Sequence, residues 1–322
     1  MHTAAQASQA DTPTHTPTDS YTFAQISDPH LTRIDQARWR QLLNKRFLGY
    51  LSWRKRRRSE HRPEVLRAVV EDLRDSDARH LVITGDLTHI GLPEEFRQAA
   101  HWLKHLGPPG DVTVIPGNHE AYVQIPWEES YALWRDYLVS DAGGPTDADM
   151  FPTLRVRGPL AIIGVNSALA TAPFLATGQV GLLQRRRLEQ LLRETALRGL
   201  FRVVLIHHTP APGVDKWRKR LTDRAEVGRV LEEQGAELVL HGHTHRPVWS
   251  ELSGPVGPIP VISPPSGSAL SHRRERNARY HLYRIRSAEG GWTLEVEARG
   301  YSAQDGGMHS LETRCFALKR PR

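Results

Sequence analysis

The chain holds one cysteine, Cys315, in 322 residues. An intrachain disulfide is therefore excluded, and so is a cysteine-rich zinc site. It has no apolar run near the ~18 residues that a membrane span requires. It does not begin with a cationic stretch followed by an apolar core, so a cleaved secretory signal is not expected. It has no Gly-x4-Gly-Lys-Ser/Thr loop, which removes the usual cradle for a nucleoside triphosphate. It shows no internal repeat. A reducing cytoplasm is the simplest home for such a chain.

What is present is ordinary in bulk, with 39% hydrophobic and 25% charged residues. The charge is unevenly spread. Net charge is +7, yet the stretch Arg33 to Arg62 has eleven basic and two acidic residues, a local +9 that leaves −2 for the remainder. The chain reads as a near-neutral protein carrying one basic insertion. Residues 1–20 are rich in Thr, Ala, Gln, Ser and Pro and are expected to be a disordered tail, with His2 and His15 inert. Residues 21–318 are expected to be a single domain interrupted by the insertion at 33–62.

Strands are expected at Tyr21–Ser27, Leu81–Thr84, Val112–Ile115, Leu160–Val165, Phe201–Ile206 and Leu238–Leu240. Later ones are expected at Val261–Ile262, Tyr280–Ile285 and Trp292–Val296. Helices are expected at Pro63–Asp75, Pro93–Leu106, Trp127–Leu138, Val180–Leu197 and Asp223–Glu233. Strand, polar cluster, helix, strand is the alternation of an α/β fold, and polar residues gather just past the strand ends, where such sheets hold ligands.

Five clusters stand at five strand ends: Asp28-x-His30, Gly85-Asp86, Gly117-Asn118-His119-Glu120, His207, and Gly242-His243-x-His245. Taken singly, each is more often a turn or a core histidine. Together they supply carboxylate, imidazole and amide donors and no thiolate, a mixture suited to Mn, Fe or Zn rather than Ca or Mg. Seven donors exceed one tetrahedral ion and suit two. Two such ions ~3.5–4 Å apart would share a bridging water and clamp a phosphoryl group.

In these five blocks and their order, over roughly residues 21–265, the chain resembles the calcineurin-like metallophosphoesterases. The resemblance implies a four-layer α/β/β/α sandwich of two packed mixed sheets, with metals at one sheet edge. It implies that Asp28, His30 and His245 hold one metal, that Asn118, His207 and His243 hold the other, and that Asp86 bridges them. The ions would be divalent or trivalent, Mn or Fe ahead of Zn. His119 would be the catalytic acid. Where the family has Asp after that histidine this chain has Glu120, expected to accept an imidazole N–H of His119. The implied reaction is hydrolysis of a phosphodiester or pyrophosphate by a metal-bridging hydroxide. The Asp-Pro-His and Gly-Asp-Leu-Thr elements are similar to class III cyclic-nucleotide phosphodiesterases, which puts a cyclic-nucleotide-type substrate first.

The insertion supplies a second candidate. Trp39, Leu42, Leu43, Phe47, Tyr50 and Leu51 fit one helical face, with Gly49 expected to break or bend the helix, and Arg54-Lys55-Arg56-Arg57-Arg58 follow. Apolar residues beside clustered cations resemble an interfacial segment for anionic lipid. Three readings stay open: a packed helix with a solvated basic end, a lid making peripheral contact with the inner membrane face, and nucleic-acid binding, the least favoured. The lid reading resembles superfamily enzymes that cleave UDP-2,3-diacylglucosamine, so a nucleotide-lipid pyrophosphatase is the alternative function. An alternative of another class is a non-catalytic membrane- or partner-binding module, whose mark would be missing ligands; none is missing. His208 and His241 are expected to be structural, because neighbouring strand residues face opposite sides. His101 and His105 form an i,i+4 pair without a third ligand. Ser266 and Ser268 lie in a loop that either reaches substrate or is a plain turn.

Overall fold

The structure is a computed structural model that describes residues 20–320, apart from residues 36 and 146. The tail expected to be disordered lies, but for Ser20, outside the described residues.

Two six-stranded mixed sheets form the frame. In the first, β1 (Tyr21–Ile26), β2 (Leu81–Ile83) and β3 (Val112–Val114) run parallel. On the other side of β1 follow β10 (Arg279–Ala288), β11 (Gly291–Tyr301) and β12 (Met308–Lys319), all antiparallel. In the second, β5 (Leu160–Val165), β6 (Phe201–Ile206), β7 (Leu238–Leu240) and β9 (Ile259–Ser263) run parallel, with antiparallel edges β4 (Thr153–Arg157) and β8 (Val248–Leu252). The edge strands β4 and β8 and the long terminal strand β12 were not expected. They carry few fully buried residues, so no continuous apolar run marks them.

Strand alternation decides which core a residue joins. Leu160, Ile162, Val203, Leu205, Leu238 and Leu240 face the first sheet and share a core with Phe23 and Val82. Their neighbours Ile163, Val165, Val204, Ile206 and Val239 face the opposite way, onto α5 (Leu182–Leu197) and α6 (Arg224–Gln234). The first sheet is covered by α3 (Pro63–Arg74) and α4 (Pro93–Leu106), each opened by a proline whose missing N–H costs nothing at that position. The result is the expected four-layer arrangement.

The helix expected at Trp127–Leu138 is instead two short 3-10 segments, Trp127–Glu129 and Tyr131–Tyr137, with a kink at Trp134. The Tyr131 and Trp134 rings both pack edge-on against Phe96, and this packing overrides the regular helical path.

The insertion differs most from its expectation. It is a 3-10 turn (Trp39–Leu42), α1 (Arg46–Ser52), a wide π-turn (Trp53–Arg57) and a last helical turn, α2 (Arg58–Glu60). Gly49 does not break the helix. A side chain there would run into Ile90 and Tyr122, so glycine lets α1 lie close against the 90–122 surface. The supposed single face is split. Leu42 and Tyr50 pack with Ile34, Trp53, Ile90 and Leu92, whereas Trp39, Leu43 and Phe47 stay exposed.

Candidate metal centre

All five expected clusters lie at carboxyl ends of parallel strands, and the two sheets bring them to one place. Asp28 and His30 follow β1, Asp86 follows β2, Asn118 and His119 follow β3, His207 follows β6, and His243 and His245 follow β7. The centre is therefore built across both sheets rather than at one sheet's edge. Five of these residues, Asp28, His30, Asp86, His243 and His245, hold left-handed backbone, with φ between 39° and 68°. Such a conformation costs about 1–3 kcal/mol per non-glycine residue and persists where the surroundings enforce it. The motif glycines have a separate task. A Cβ on Gly117 would collide with the Asp86 carboxylate, and one on Gly242 with the Ser27 hydroxyl and the Asp28 carboxylate.

Backbone carbonyls set the imidazole tautomers. A carbonyl only accepts, so Nδ1 of His30 donates to the Thr88 carbonyl at 2.8 Å, and Nδ1 of His207 donates to the Thr84 carbonyl at 2.7 Å. The Nε2 atoms are thus presented to the centre, as metal-binding imidazoles require. Asp28 is anchored by the Ser27 hydroxyl at 2.5 Å and by the His243 backbone N–H at 3.0 Å.

Two groups form. Donor atoms of Asp28, His30, Asp86 and His245 lie within 4.8 Å of one another, with His30 Nε2 and His245 Nε2 3.3 Å apart and His245 Nε2 3.3 Å from Asp28 Oδ1. Donor atoms of His207, His208 and His243 form the second group, where His207 Nε2 lies 3.2 Å from Asn118 Oδ1 and 3.3 Å from Asp86 Oδ2. Asp86 Oδ2 also lies 3.9 Å from His30 Nε2, so one oxygen faces both groups. Its partner oxygen Oδ1 accepts the His119 backbone N–H at 2.8 Å, which fixes the carboxylate.

The residues present fit a pair of cations. Asp86 Oδ2 and His243 Nε2 are buried without a hydrogen-bond partner, an expensive arrangement unless a cation meets them. Burial, then the charge on neighbouring imidazoles, holds His243 well below the usual histidine range, which keeps it a neutral donor. His207 runs the other way: burial opposes its charge, but the Asp86 carboxylate beside it carries it up to about 9.

His119 lies next to this centre, Nε2 4.0 Å from Asp86 Oδ2. Its expected partner is wrong. Glu120 does not reach the imidazole; its carboxylate accepts from the backbone N–H groups of Asp86 (2.9 Å), Thr88 (2.8 Å) and Gly117 (2.8 Å) and from the Thr88 hydroxyl (3.0 Å). The longer glutamate arm spans two ligand loops and ties them together. The His119 Nδ1–H is accepted instead by the His89 carbonyl. Burial, reinforced by Asp86, pushes the Glu120 carboxyl up to about 7.

The run Arg54–Arg58 also divides. Arg54, Lys55, Arg56 and Arg58 are exposed, while the Arg57 guanidinium turns inward and donates to His119 Nε2 at 2.8 Å. The π-turn made this invisible as a sequence pattern, since it breaks the 3.6-residue period. Arg57, Asn118 and His119 open onto a cleft of about 620 Å³ whose walls add Lys45, Lys216, Arg218 and Lys219. The same cleft is bordered by apolar Leu48, Phe174 and Trp217, the last two strongly exposed.

Two further residues, His61 and His89, escaped the sequence reading, and His208 lies other than expected. His61 and His89 surround His30, at ring-centre distances of 4.5 and 5.2 Å. His208, expected to point away, packs its ring 4.5 Å from that of His243. The alternation argument failed there because strand β6 ends at Ile206 and the chain has already turned. His241 keeps its structural place, its carbonyl accepting from Gln25 and Thr84. His101 and His105 are exposed on α4 and join no donor cluster among the described residues.

A family model described as calcineurin-like phosphoesterase matches residues 21–247. The chain belongs to the calcineurin-like phosphoesterases. It is thereby a metal-dependent phosphoester hydrolase. Among solved structures, a dimetal phosphatase from Danio rerio superposes with a TM-score of 0.61 at 13% identity, covering 93% of this chain and 99% of that one. A purple acid phosphatase from yellow lupin (Lupinus luteus) seeds gives 0.58 at 10% identity, over 93% of this chain and 54% of that one. Both share the fold. A UDP-2,3-diacylglucosamine hydrolase from Pseudomonas putida is 23% identical over 271 residues, 76% of this chain and 93% of that protein. No helix among the described residues of this calcineurin-like phosphoesterase is long and apolar enough to cross a membrane.

Proposed function

We propose that the chain hydrolyses the pyrophosphate or phosphodiester bond of a nucleotide-linked lipid, of the UDP-2,3-diacylglucosamine type, at an anionic membrane surface. The observation that carries this reading is the cleft beside His119. Five cationic side chains, Lys45, Arg57, Lys216, Arg218 and Lys219, line it under an apolar rim of Leu48, Phe174 and Trp217. A cyclic nucleotide, first on motif style, carries one phosphate charge and no acyl chain. A diphosphate-linked lipid uses both features of the cleft, and the Pseudomonas putida relative bears that name.

In this reading Asp28, His30 and His245 hold one ion and Asn118, His207 and His243 the other, with Asp86 between them. The mixed oxygen and nitrogen donors favour Mn or Fe, with Zn behind. Ions bound there supply water activation near neutral pH and offset phosphoryl charge. His119 delivers the proton to the leaving oxygen. Its Nδ1–H is committed to the His89 carbonyl, so Nε2, which holds a lone pair in this tautomer, would first take up the proton released by the attacking water and then pass it to the leaving oxygen. Arg57 faces that same Nε2. A substrate phosphate draws the guanidinium onto its own oxygens, where a charge-assisted pair is stronger than a bond to neutral imidazole, and so uncovers Nε2.

The exposed Trp39, Leu43 and Phe47 and the exposed Arg54, Lys55, Arg56 and Arg58 of the same insertion support peripheral contact with anionic lipid, in this reading at the inner membrane face. Aromatic side chains in that patch fit a bilayer interface better than a phosphate backbone, so nucleic acid is not proposed. The test compares UDP-2,3-diacylglucosamine, cyclic AMP and bis-p-nitrophenyl phosphate with Mn-loaded protein, with and without phosphatidylglycerol vesicles. The expected result is turnover of the lipid substrate above that of cyclic AMP, stimulated by vesicles. Neutralising Arg54, Lys55, Arg56 and Arg58 together should remove the stimulation and leave the aryl ester rate unchanged. Faster cyclic AMP hydrolysis would return the substrate to the cyclic-nucleotide class.

A further inference from the structure

We infer that His61, the residue that closes the basic insertion, is an additional imidazole ligand of the cation held by Asp28, His30 and His245. The inference rests on the dinuclear centre proposed above and adds to it a side chain from outside the five strand-end clusters.

Geometry brings the ring there. Ligand atoms of His30, His61 and His245 lie within 4.8 Å of one another, His30 and His61 buried and His245 half-buried. The ring centres of His61 and His30 are 4.5 Å apart, and those of His61 and His245 5.7 Å. Three imidazoles whose ligand atoms converge this closely match the nitrogen donor set that a transition-metal cation takes.

The ring is also held in place before any ligand arrives. His61 Nδ1 lies 2.9 Å from the Ser268 hydroxyl, and the adjacent Ser266 hydroxyl donates to the Asp28 carbonyl at 2.6 Å. One serine pair thus ties His61 to the loop that carries a proposed ligand. The backbone is pinned on both sides, by Arg62 N–H to the Ser268 carbonyl (2.9 Å) and by Leu270 N–H to the Glu60 carbonyl (2.8 Å). Nδ1 is the ring atom engaged by serine; the other ring nitrogen has no hydrogen-bond partner among the described residues. A core histidine satisfied on both nitrogens would need nothing more. This one lines, together with His30 and His89, a second cavity of about 460 Å³. Second-sphere hydroxyls that orient a ligating imidazole are a common feature of metal sites.

The reading makes the two ions unequal, with the one beside His61 held by one more nitrogen. The experiment is a Co(II) titration of the metal-free full chain, followed by visible absorption and by elemental analysis. Wild type should bind two Co(II) per chain. His61→Ala should weaken one of the two sites about 10- to 100-fold, change its d–d absorption, and leave the other site as in wild type. Ser268→Ala, which only loosens the ring, should shift the same site in the same direction by less. His61→Gln, closer to the imidazole in size, replaces the alanine variant if that variant does not fold by circular dichroism. Two wild-type affinities and an unchanged spectrum in a folded His61 variant would overturn the assignment while leaving the dinuclear centre standing. Wild type binding fewer than two Co(II) would instead bring down the dinuclear reading and this inference with it.

Discussion

Arg57 Nη1 stands 2.8 Å from His119 Nε2, the atom through which a proton would pass to a leaving group. The arginine comes from the insertion and the histidine from the end of β3, so the insertion forms part of the wall of the cleft beside the candidate metal centre. A basic stretch that looked like an appendage on the sequence contributes one side chain inward and four outward.

Removing Arg57 should therefore hurt catalysis without emptying the site. A charge-assisted hydrogen bond contributes about 1.5–3 kcal/mol, which corresponds to a loss of roughly 10- to 150-fold in kcat/KM on a phosphate-bearing substrate for Arg57→Ala. Metal content measured by elemental analysis should match wild type. Arg57→Lys should recover only part of the loss, since a point charge does not reproduce the fork.

Asp86 and His119 should separate metal binding from proton delivery. Asp86→Ala removes the oxygen that faces both donor groups, and elemental analysis should find neither ion retained. His119→Ala should keep both ions and lose about 10²- to 10⁴-fold in turnover, the range for a general acid. Two ions in the Asp86 variant, or full turnover in the His119 variant, contradicts the respective role.

Glu120 should behave as a structural tie. Its carboxylate accepts from three backbone N–H groups on two ligand loops, so Glu120→Asp shortens the arm and strands buried donors. Each buried unsatisfied donor costs about 1–3 kcal/mol, so the melting temperature of the metal-free protein should fall by several degrees. An unchanged melting temperature in Glu120→Asp would count against the tie.

Away from the site, Asp72 should report on acid stability. Burial pushes its carboxyl up, but hydrogen bonds from Arg299 (2.7 Å to each oxygen) and the Tyr280 hydroxyl (2.5 Å) outweigh it and hold the group below the usual carboxylate range. A folded-state value below the unfolded one means the stabilisation is fully present above about pH 4, the ordinary aspartate value, and is lost as pH falls through the depressed value. Asp72→Asn should cost about 1 kcal/mol at neutral pH, a modest figure because the pair is partly exposed. The gap between wild type and variant in urea midpoint should close as pH falls below 4.

The strand-end clusters were legible because a ligand must sit within a few residues of a strand's end, and short apolar runs followed by Gly, Asp, Asn or His leave a local mark. The fold class followed from the same alternation. Glu120 marks the boundary of that method: its identity was visible, but its partners are the amides of Asp86 and Thr88 in another loop, and side-chain length alone did not say which group it would reach.

By itself the sequence determined the α/β architecture, the seven candidate ligands and the concentration of positive charge at 33–62, since each is written in residue types over short spacings. Tertiary structure alone decided that Arg57 points in while its neighbours point out, that His61 and His89 crowd His30, and that Glu120 serves backbone rather than imidazole. The reason is physical: those relations depend on a π-turn that breaks helical periodicity and on loops closed by contacts between distant segments, and neither leaves a period or a spacing along the chain.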